Sequence, residues 1–272
     1  MKSLICPLCT KFLSITTQGL GCVNGHQFDR AKEGYFNLLP VQYKNSLEPG
    51  DAKQQLNARR AFLNAGFFSP LAEALKLLIP ADTKSLLDIG CGEGYFTRAM
   101  IQHCATVDAY GIDIAKAGIR LAAKKTPNYG TNSDSITYVV ASSYALPIAT
   151  GSMDVVTRIY APSKDEELQR VLSPQGKLII VTPGENHLLS LRQQIYKHLR
   201  PHPKPQIPAG FKNFSQQQLR FNLEIPPGEY AEALLQMTPF AWQVQPELLL
   251  RLKTDGFQDA ADFQLSIYQP NN

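Results

Sequence analysis

The chain has 272 residues, 44% of them hydrophobic and 18% charged, which suits one large globular domain with a small companion. Its 19 prolines and 18 glycines are scattered, which argues against a low-complexity or disordered protein, and no run approaches the ~20 apolar residues of a membrane span. The opening MKSLICPLC has no apolar core of signal-peptide length, so residence in the cytoplasm is expected, with no membrane partner.

Net charge is +4, and its distribution matters more than its size. Residues 1–60 carry eight Lys/Arg against four Asp/Glu, while residues 61–272 carry nineteen of each. Between Glu185 and Glu224 lie six more basic residues and no acid: Arg192, Lys197, Arg200, Lys204, Lys212 and Arg220. Two basic segments on a balanced body fit a polyanionic partner, and fit two solvated faces about as well.

In chain order, the first pattern is Cys6-x2-Cys9-x12-Cys22-x3-His26. A reducing compartment disfavours disulfides, and thiolates two apart in a tight knuckle aim both sulfurs at one ion. Three thiolates and one imidazole fill a zinc tetrahedron and leave no position for water, so the expected Zn2+ is structural. It would hold together a segment of ~30 residues, too short to build its own core. Cys91 and Cys104 lie far away and read as packing residues. A zinc-binding module is expected over 1–40. A helical linker or cover over 41–80 follows, with Asp51 capping a helix that runs to about residue 64 and Ser69-Pro70 opening a second to about residue 79.

Residues 81–272 alternate strand and helix patterns. Apolar runs at 85–89, 107–112, 136–140, 153–159 and 177–182 predict strands. Helices are expected from residue 95, through residue 125, and over 165–172. This is the signature of an α/β fold with a mostly parallel sheet and a ligand at the carboxyl ends of its strands. A helix over 187–199, a proline-rich turn, and antiparallel edge strands at 219–225 and 263–268 complete the expectation.

The ligand signal lies on the first strand-to-helix turn, Asp88-Ile-Gly90-Cys-Gly92-Glu-Gly94. Nineteen residues later Asp113 ends the second strand, where an acid accepts hydrogen bonds from both hydroxyls of a ribose. Asp88 before the first glycine departs from the dinucleotide fingerprint. The pair of motifs resembles the Rossmann-like class I methyltransferases, which use S-adenosyl-L-methionine and have a seven-stranded sheet. That likeness implies cofactor contacts from Asp88, Gly90, Gly92, Gly94, Tyr95 and Asp113, with Ser142 facing the adenine in place of the more usual acid. Gln175 stands where the class expects a glycine.

The zinc pattern is followed by Gly25-His-Gln-Phe-Asp-Arg-Ala-Lys-Glu-Gly-Tyr-Phe-Asn-Leu-Leu-Pro40, Ala58-Arg-Arg-Ala61, Arg158-Ile-Tyr-Ala-Pro162, Thr182-Pro-Gly-Glu-Asn-His187 and Leu235-Gln-Met-Thr-Pro-Phe-Ala-Trp242. Over essentially its whole length the chain resembles the bacterial 23S rRNA (guanine-N1)-methyltransferases of the RlmA or RrmA type. The resemblance implies methyl transfer to a guanine in a domain II hairpin of 23S rRNA, about position 745, with the zinc module recognising RNA. It also implies His187 and Phe68 near the cofactor; for Phe68 plain helix packing is the alternative and the better-supported one. Tyr160, after the fourth strand, is the candidate to stack the flipped base; a buried strand-end tyrosine is the plain alternative. No carboxylate stands out as proton acceptor, since Asp165, Glu166 and Glu167 open a helix. A methyltransferase acting on a quinone-type small molecule, or a non-catalytic zinc-containing RNA-binding protein, would show many of the same motifs, and a homodimer would be unsurprising.

Overall fold

A computed structural model describes residues 2–40, 53–105, 107–124 and 135–271. The expected cap at Asp51, the polar stretch before it and the helix end at Lys125 lie outside these residues. Three short antiparallel strands, β1 (Leu13–Ile15), β2 (Gly19–Cys22) and β3 (Gln27–Asp29), make an N-terminal ribbon. Two helices follow, α1 (Lys53–Asn64) and α2 (Ser69–Leu78), the second with proline in its first turn.

The main sheet has eight strands. Its parallel centre is β5 (Ser85–Ile89), β6 (Asp108–Asp113), β7 (Ile136–Val140), β8 (Met153–Ile159) and β9 (Leu172–Pro183), separated by α3 (Tyr95–Met100), α4 (Lys116–Ala123) and α5 (Asp165–Val171). The long strands β10 (Phe211–Ile225) and β11 (Phe257–Pro270) add antiparallel pairs beyond β9. The seven expected strands are joined by β4 (Phe36–Asn37), which pairs parallel with β7 and gives the order β10-β11-β9-β8-β5-β6-β7-β4. The chain leaves β5 toward β6 on one side and returns through β8 on the other. The topological switch point therefore falls at the carboxyl end of β5.

The ribbon is fused to this sheet. Leu4 bridges to Ile148, Ile5 N–H donates to the Pro147 carbonyl at 3.0 Å, and Ala149 N–H donates to that of Ser3 at 2.8 Å. Leu4, Cys6, Leu13, Leu20, Phe36 and Leu38 share one apolar cluster with Leu87, Ile89, Tyr110, Val139 and Ile148. The crossover from β7 to β8 contains no helix, and the ribbon covers the sheet face that such a helix would cover. Strand alternation sends Leu86, Val155 and Ile179 to the other face, where they pack with α1, α2 and the helices near the carboxyl end.

Two expectations changed. The helix expected over 187–199 shrinks to α6 (Leu189–Ile195). His187 still belongs to a turn in which its N–H donates to Gly184, Leu188 is left-handed at φ 50°, and Asp259 on β11 accepts the first free N–H groups, from Ser190 and Leu191. Between β10 and β11 the chain also inserts α7 (Tyr230–Gln236), a 3-10 turn (Pro239–Trp242) and α8 (Pro246–Asp255), none of them anticipated. Ala231, Ala233, Leu234 and Leu235 form the buried side of α7, and Thr238 before Pro239 is a cap-and-proline start that was legible in the sequence.

Candidate active site and metal centre

Cys6, Cys9, Cys22 and His26 converge with all ligand atoms within 4.8 Å of one another. The Cys9 and Cys22 sulfurs are 3.7 Å apart, and His26 Nδ1 lies 3.5 Å from Cys6 Sγ and 3.4 Å from Cys22 Sγ. A zinc tetrahedron with Zn–S bonds of ~2.3 Å has sulfur–sulfur edges of roughly 3.8 Å, so the donor set fits the ion in both chemistry and size. Two tight turns build it. Thr10 N–H donates to Cys6 with Thr10 left-handed at φ 59°, and Gly25 N–H donates to Cys22 at φ 81°.

The second site is a cavity of about 770 Å³ over the carboxyl ends of β5, β6 and β8. Asp88, Gly90, Gly92, Tyr95, Asp113, Ser142, Phe68, Tyr160 and His187 all border it. Gly94 does not. It caps α3 in the left-handed region, and a Cβ there would lie 2.5 Å from the Tyr138 hydroxyl, so this glycine lets the loop seat on β7. Gly90, at φ 70°, would place a Cβ 2.3 Å from that of Ala161, so a side chain there would push apart the loops after β5 and β8.

Asp88 is buried under the loop. Its two oxygens accept hydrogen bonds from Thr97 on α3 at 2.5 Å and Thr157 on β8 at 2.8 Å, fixing loop, helix and neighbouring strand together. Burial raises its pKa from the ordinary carboxylate value to about 6, against the opposing effect of the two hydroxyls. Asp113 accepts from Gly92 N–H at 2.9 Å with one oxygen and from Ala115 N–H at 2.7 Å with the other. It thereby ties the glycine loop to the end of β6 and the start of α4. Ser142 Oγ accepts from Tyr144 N–H at 3.2 Å, which leaves the hydroxyl proton free to donate.

The far wall is aromatic. Phe68 packs edge-on against Phe62 and Phe263 with centroids 5.1 Å apart, and His187 lies 4.8 Å from Phe263 and 6.4 Å from Tyr160. His187 is 7% exposed, and its Nδ1 accepts from Asp262 N–H at 3.2 Å, which places the ring proton on Nε2. Burial, then the neighbouring His202, lower its pKa to about 4. Tyr160 adopts φ 55°, unusual for a bulky residue, and the residue is 52% exposed at the cavity wall.

Several wall residues carried no functional expectation. Glu93 is buried and paired with Arg98 at 3.2 Å, Arg59 reaches over the glycine loop from α1, and Leu234, Met237, Thr238 and Phe240 come from the unanticipated insertion. His202 comes from the proline-rich segment. Of the six basic residues in the acid-free stretch, Arg192 is buried, and its guanidinium is directed at the carbonyls of Glu185, His187 and Arg200; the other five are solvent-facing to differing degrees.

Residues 4–47 match the N-terminal zinc-ribbon family of RlmA, and residues 86–176 match a general methyltransferase domain. The chain is 28% identical to the 23S rRNA (guanine(748)-N(1))-methyltransferase of Streptomyces fradiae, over 92% of this chain and 90% of that one. It is 30% identical to the putative 23S rRNA (guanine-N(1)-)-methyltransferase YxjB of Bacillus subtilis, over 91% and 90%. Likeness to a malonyl-[acyl-carrier protein] O-methyltransferase of Methylococcus capsulatus, 32% identical, covers only 39% of this chain and 40% of that one. The zinc-liganding ribbon, the glycine loop at the switch point and the near full-length relatives thus agree: the chain is an S-adenosylmethionine-dependent methyltransferase and belongs to the RlmA family of 23S rRNA (guanine-N1)-methyltransferases.

Proposed function

We propose that this enzyme transfers the methyl group of S-adenosylmethionine to N1 of a guanine in a domain II hairpin of 23S rRNA, about position 745. The observation that carries the reading is the joining of a Cys3His ribbon to the same sheet that presents the glycine loop. A methyltransferase for small metabolites has no need of such an extension. Exposed Lys2, Lys11, Arg30 and Lys32, together with exposed Leu8, Phe12 and Val23, give the ribbon a surface that is basic and apolar at once, as an RNA loop with unstacked bases requires.

The bound cofactor supplies an electrophilic methyl group on a sulfonium. The protein's residues then bind, align and exclude water. Asp113, at the carboxyl end of β6, accepts hydrogen bonds from the ribose hydroxyls, Ser142 donates toward the adenine, and the backbone from Gly90 to Tyr95 cradles the amino-acid part. Asp88 acts beneath the loop by fixing its shape. Phe68 and His187 close the apolar wall, and Tyr160, held in its left-handed conformation, offers the flat surface on which an extruded guanine stacks.

Incubation with labelled S-adenosylmethionine and rRNA from a strain lacking the gene tests the reading. N1 methylation blocks Watson–Crick pairing and stops reverse transcription, so label and stop should coincide in domain II. A stop at the neighbouring guanine modified by the Streptomyces relative would correct the position alone. Label appearing only in a metabolite pool would overturn the RNA reading.

A further inference from the structure

Removing the N1 proton of guanine needs an acceptor, and most groups in the cavity are already committed. Asp88 holds two hydroxyls, Glu93 is paired with Arg98, and Asp113 supports the glycine loop. Cys91 keeps its proton because burial, followed by the charge of Asp113, raises its pKa well above the ordinary value. Phenols such as Tyr144 and Tyr160 are weak bases. His187 has its lone pair occupied by Asp262 N–H and carries its proton on the other nitrogen. Asp262 itself accepts from Asn186 N–H and from Gln218 and does not border the cavity.

Among the described residues of the wall, one further side chain can accept a proton. His202 borders the cavity, 6.4 Å from the His187 ring centroid, and its Nε2 is shielded from water with no hydrogen-bond partner among the described residues. A buried nitrogen of this kind calls for a ligand. It sits on the irregular segment before β10, where no helix or strand fixes the ring. We propose that the imidazole of His202 is the general base of the reaction, receiving the N1 proton of the guanine stacked beside it. As the N1–H bond breaks, its electron pair forms the N1–CH3 bond. The S–CH3 bond gives its pair to sulfur, and neutral thioether and imidazolium result.

The charged groups around the ring suit this role. Burial, then the Arg192 guanidinium on α6, disfavour the protonated ring, while Asp262 on β11 and the His187 main chain favour it. His202 therefore stands neutral at physiological pH with a lone pair available, and a carboxylate nearby steadies the cation that forms.

The inference rests on the rRNA reading, and the experiment keeps the two apart. Methyl transfer to hairpin RNA is measured across pH for the wild type, His202→Gln, and His198→Gln, an exposed neighbour outside the cavity, with S-adenosylmethionine affinity measured in parallel. His202→Gln should lower kcat at pH 7 by about 10²–10⁴-fold while cofactor affinity stays within a factor of two or so. Its rate should then climb with pH, because guanine ionises unaided in alkali, whereas His198→Gln should follow the wild type. A His202→Gln profile parallel to the wild type, even at reduced rate, would overturn the base and leave the methyltransferase reading standing. A wild type inactive on the RNA would overturn both.

Discussion

Removal of zinc should unfold far more than the ribbon. Leu4, Leu13, Leu20, Phe36 and Leu38 are all at most 5% exposed and pack directly on the sheet face formed by Leu87, Ile89, Tyr110 and Val139. Without the ion, the Cys3His turns have little to hold them, since structural zinc contributes on the order of 10 kcal/mol or more to domains of this size. Returning five large apolar side chains to water, at ~1.5–3 kcal/mol each, costs about 8–15 kcal/mol as an upper bound. That is the size of a typical domain's whole stability, ~5–15 kcal/mol. A strong chelator should therefore lower the melting temperature of the entire chain in one cooperative transition and abolish S-adenosylmethionine binding with it. Calorimetry with and without chelator, and cofactor titration of the chelated protein, measure this. Two separate transitions, with the larger unmoved and cofactor binding intact, would refute the shared core and leave an independent module.

Three further outcomes follow from the cavity. Asp113→Ala removes two charge-assisted hydrogen bonds, from Gly92 in the loop and from Ala115 before α4, and the expected ribose acceptor; at ~1.5–3 kcal/mol for each such bond, cofactor affinity should fall at least about a hundredfold, while RNA binding stays near normal. Equal affinity by titration calorimetry would place the ribose elsewhere. Tyr160→Phe should keep most of the activity and Tyr160→Ala should lose about 1–3 kcal/mol of stacking; a phenylalanine as damaging as alanine would assign the work to the hydroxyl. For pH, the folded Asp88 pKa of about 6 lies above its unfolded value of 3.8, so its contribution to stability is full below about pH 4 and is lost as pH rises through 6. His187, at about 4 when folded against 6.5 unfolded, acts in the opposite sense and adds stability as pH rises from 4 to 6.5. The two, each worth about 3 kcal/mol, nearly offset in the wild type. Denaturation curves of Asp88→Asn should show stability gaining on the wild type between pH 4 and pH 8, and a pH-independent difference would contradict the buried ionisation.

Many of the residues that meet at the Cys3His cluster and the cavity were legible because their constraints are local. Zinc needs donors at knuckle spacing, and the loop needs glycines where φ is positive or a Cβ has no room. A strand-end acid needs only to follow the second strand, so Cys6, Cys9, Cys22, His26, Gly90, Gly92 and Asp113 could be picked from spacing alone. Other features depend on which distant segments meet. Gly94 has the same loop signature as its neighbours, yet does not border the cavity, and a Cβ there would meet Tyr138 on β7. Arg192 reads as a surface charge in a basic stretch, but burial directs it to three carbonyls. That His202 Nε2 has no partner among the described residues is likewise invisible in the sequence, because the competing groups of the wall meet partners as many as 76 residues away, as Asn186 and Asp262 do.

The early charge asymmetry shows the same division. Sequence alone placed the surplus of positive charge in the first 60 residues, half of it in the zinc-binding segment, and fixed the alternating α/β pattern, because composition, ligand spacing and apolar periodicity are properties of neighbouring residues. Only the tertiary structure decided that this segment lends β4 to the main sheet and covers the face that the β7–β8 crossover leaves bare. A segment of ~30 residues buries too little apolar surface to stand alone, so it stabilises itself on its neighbour, and the zinc ribbon and the methyl-transfer site share one core.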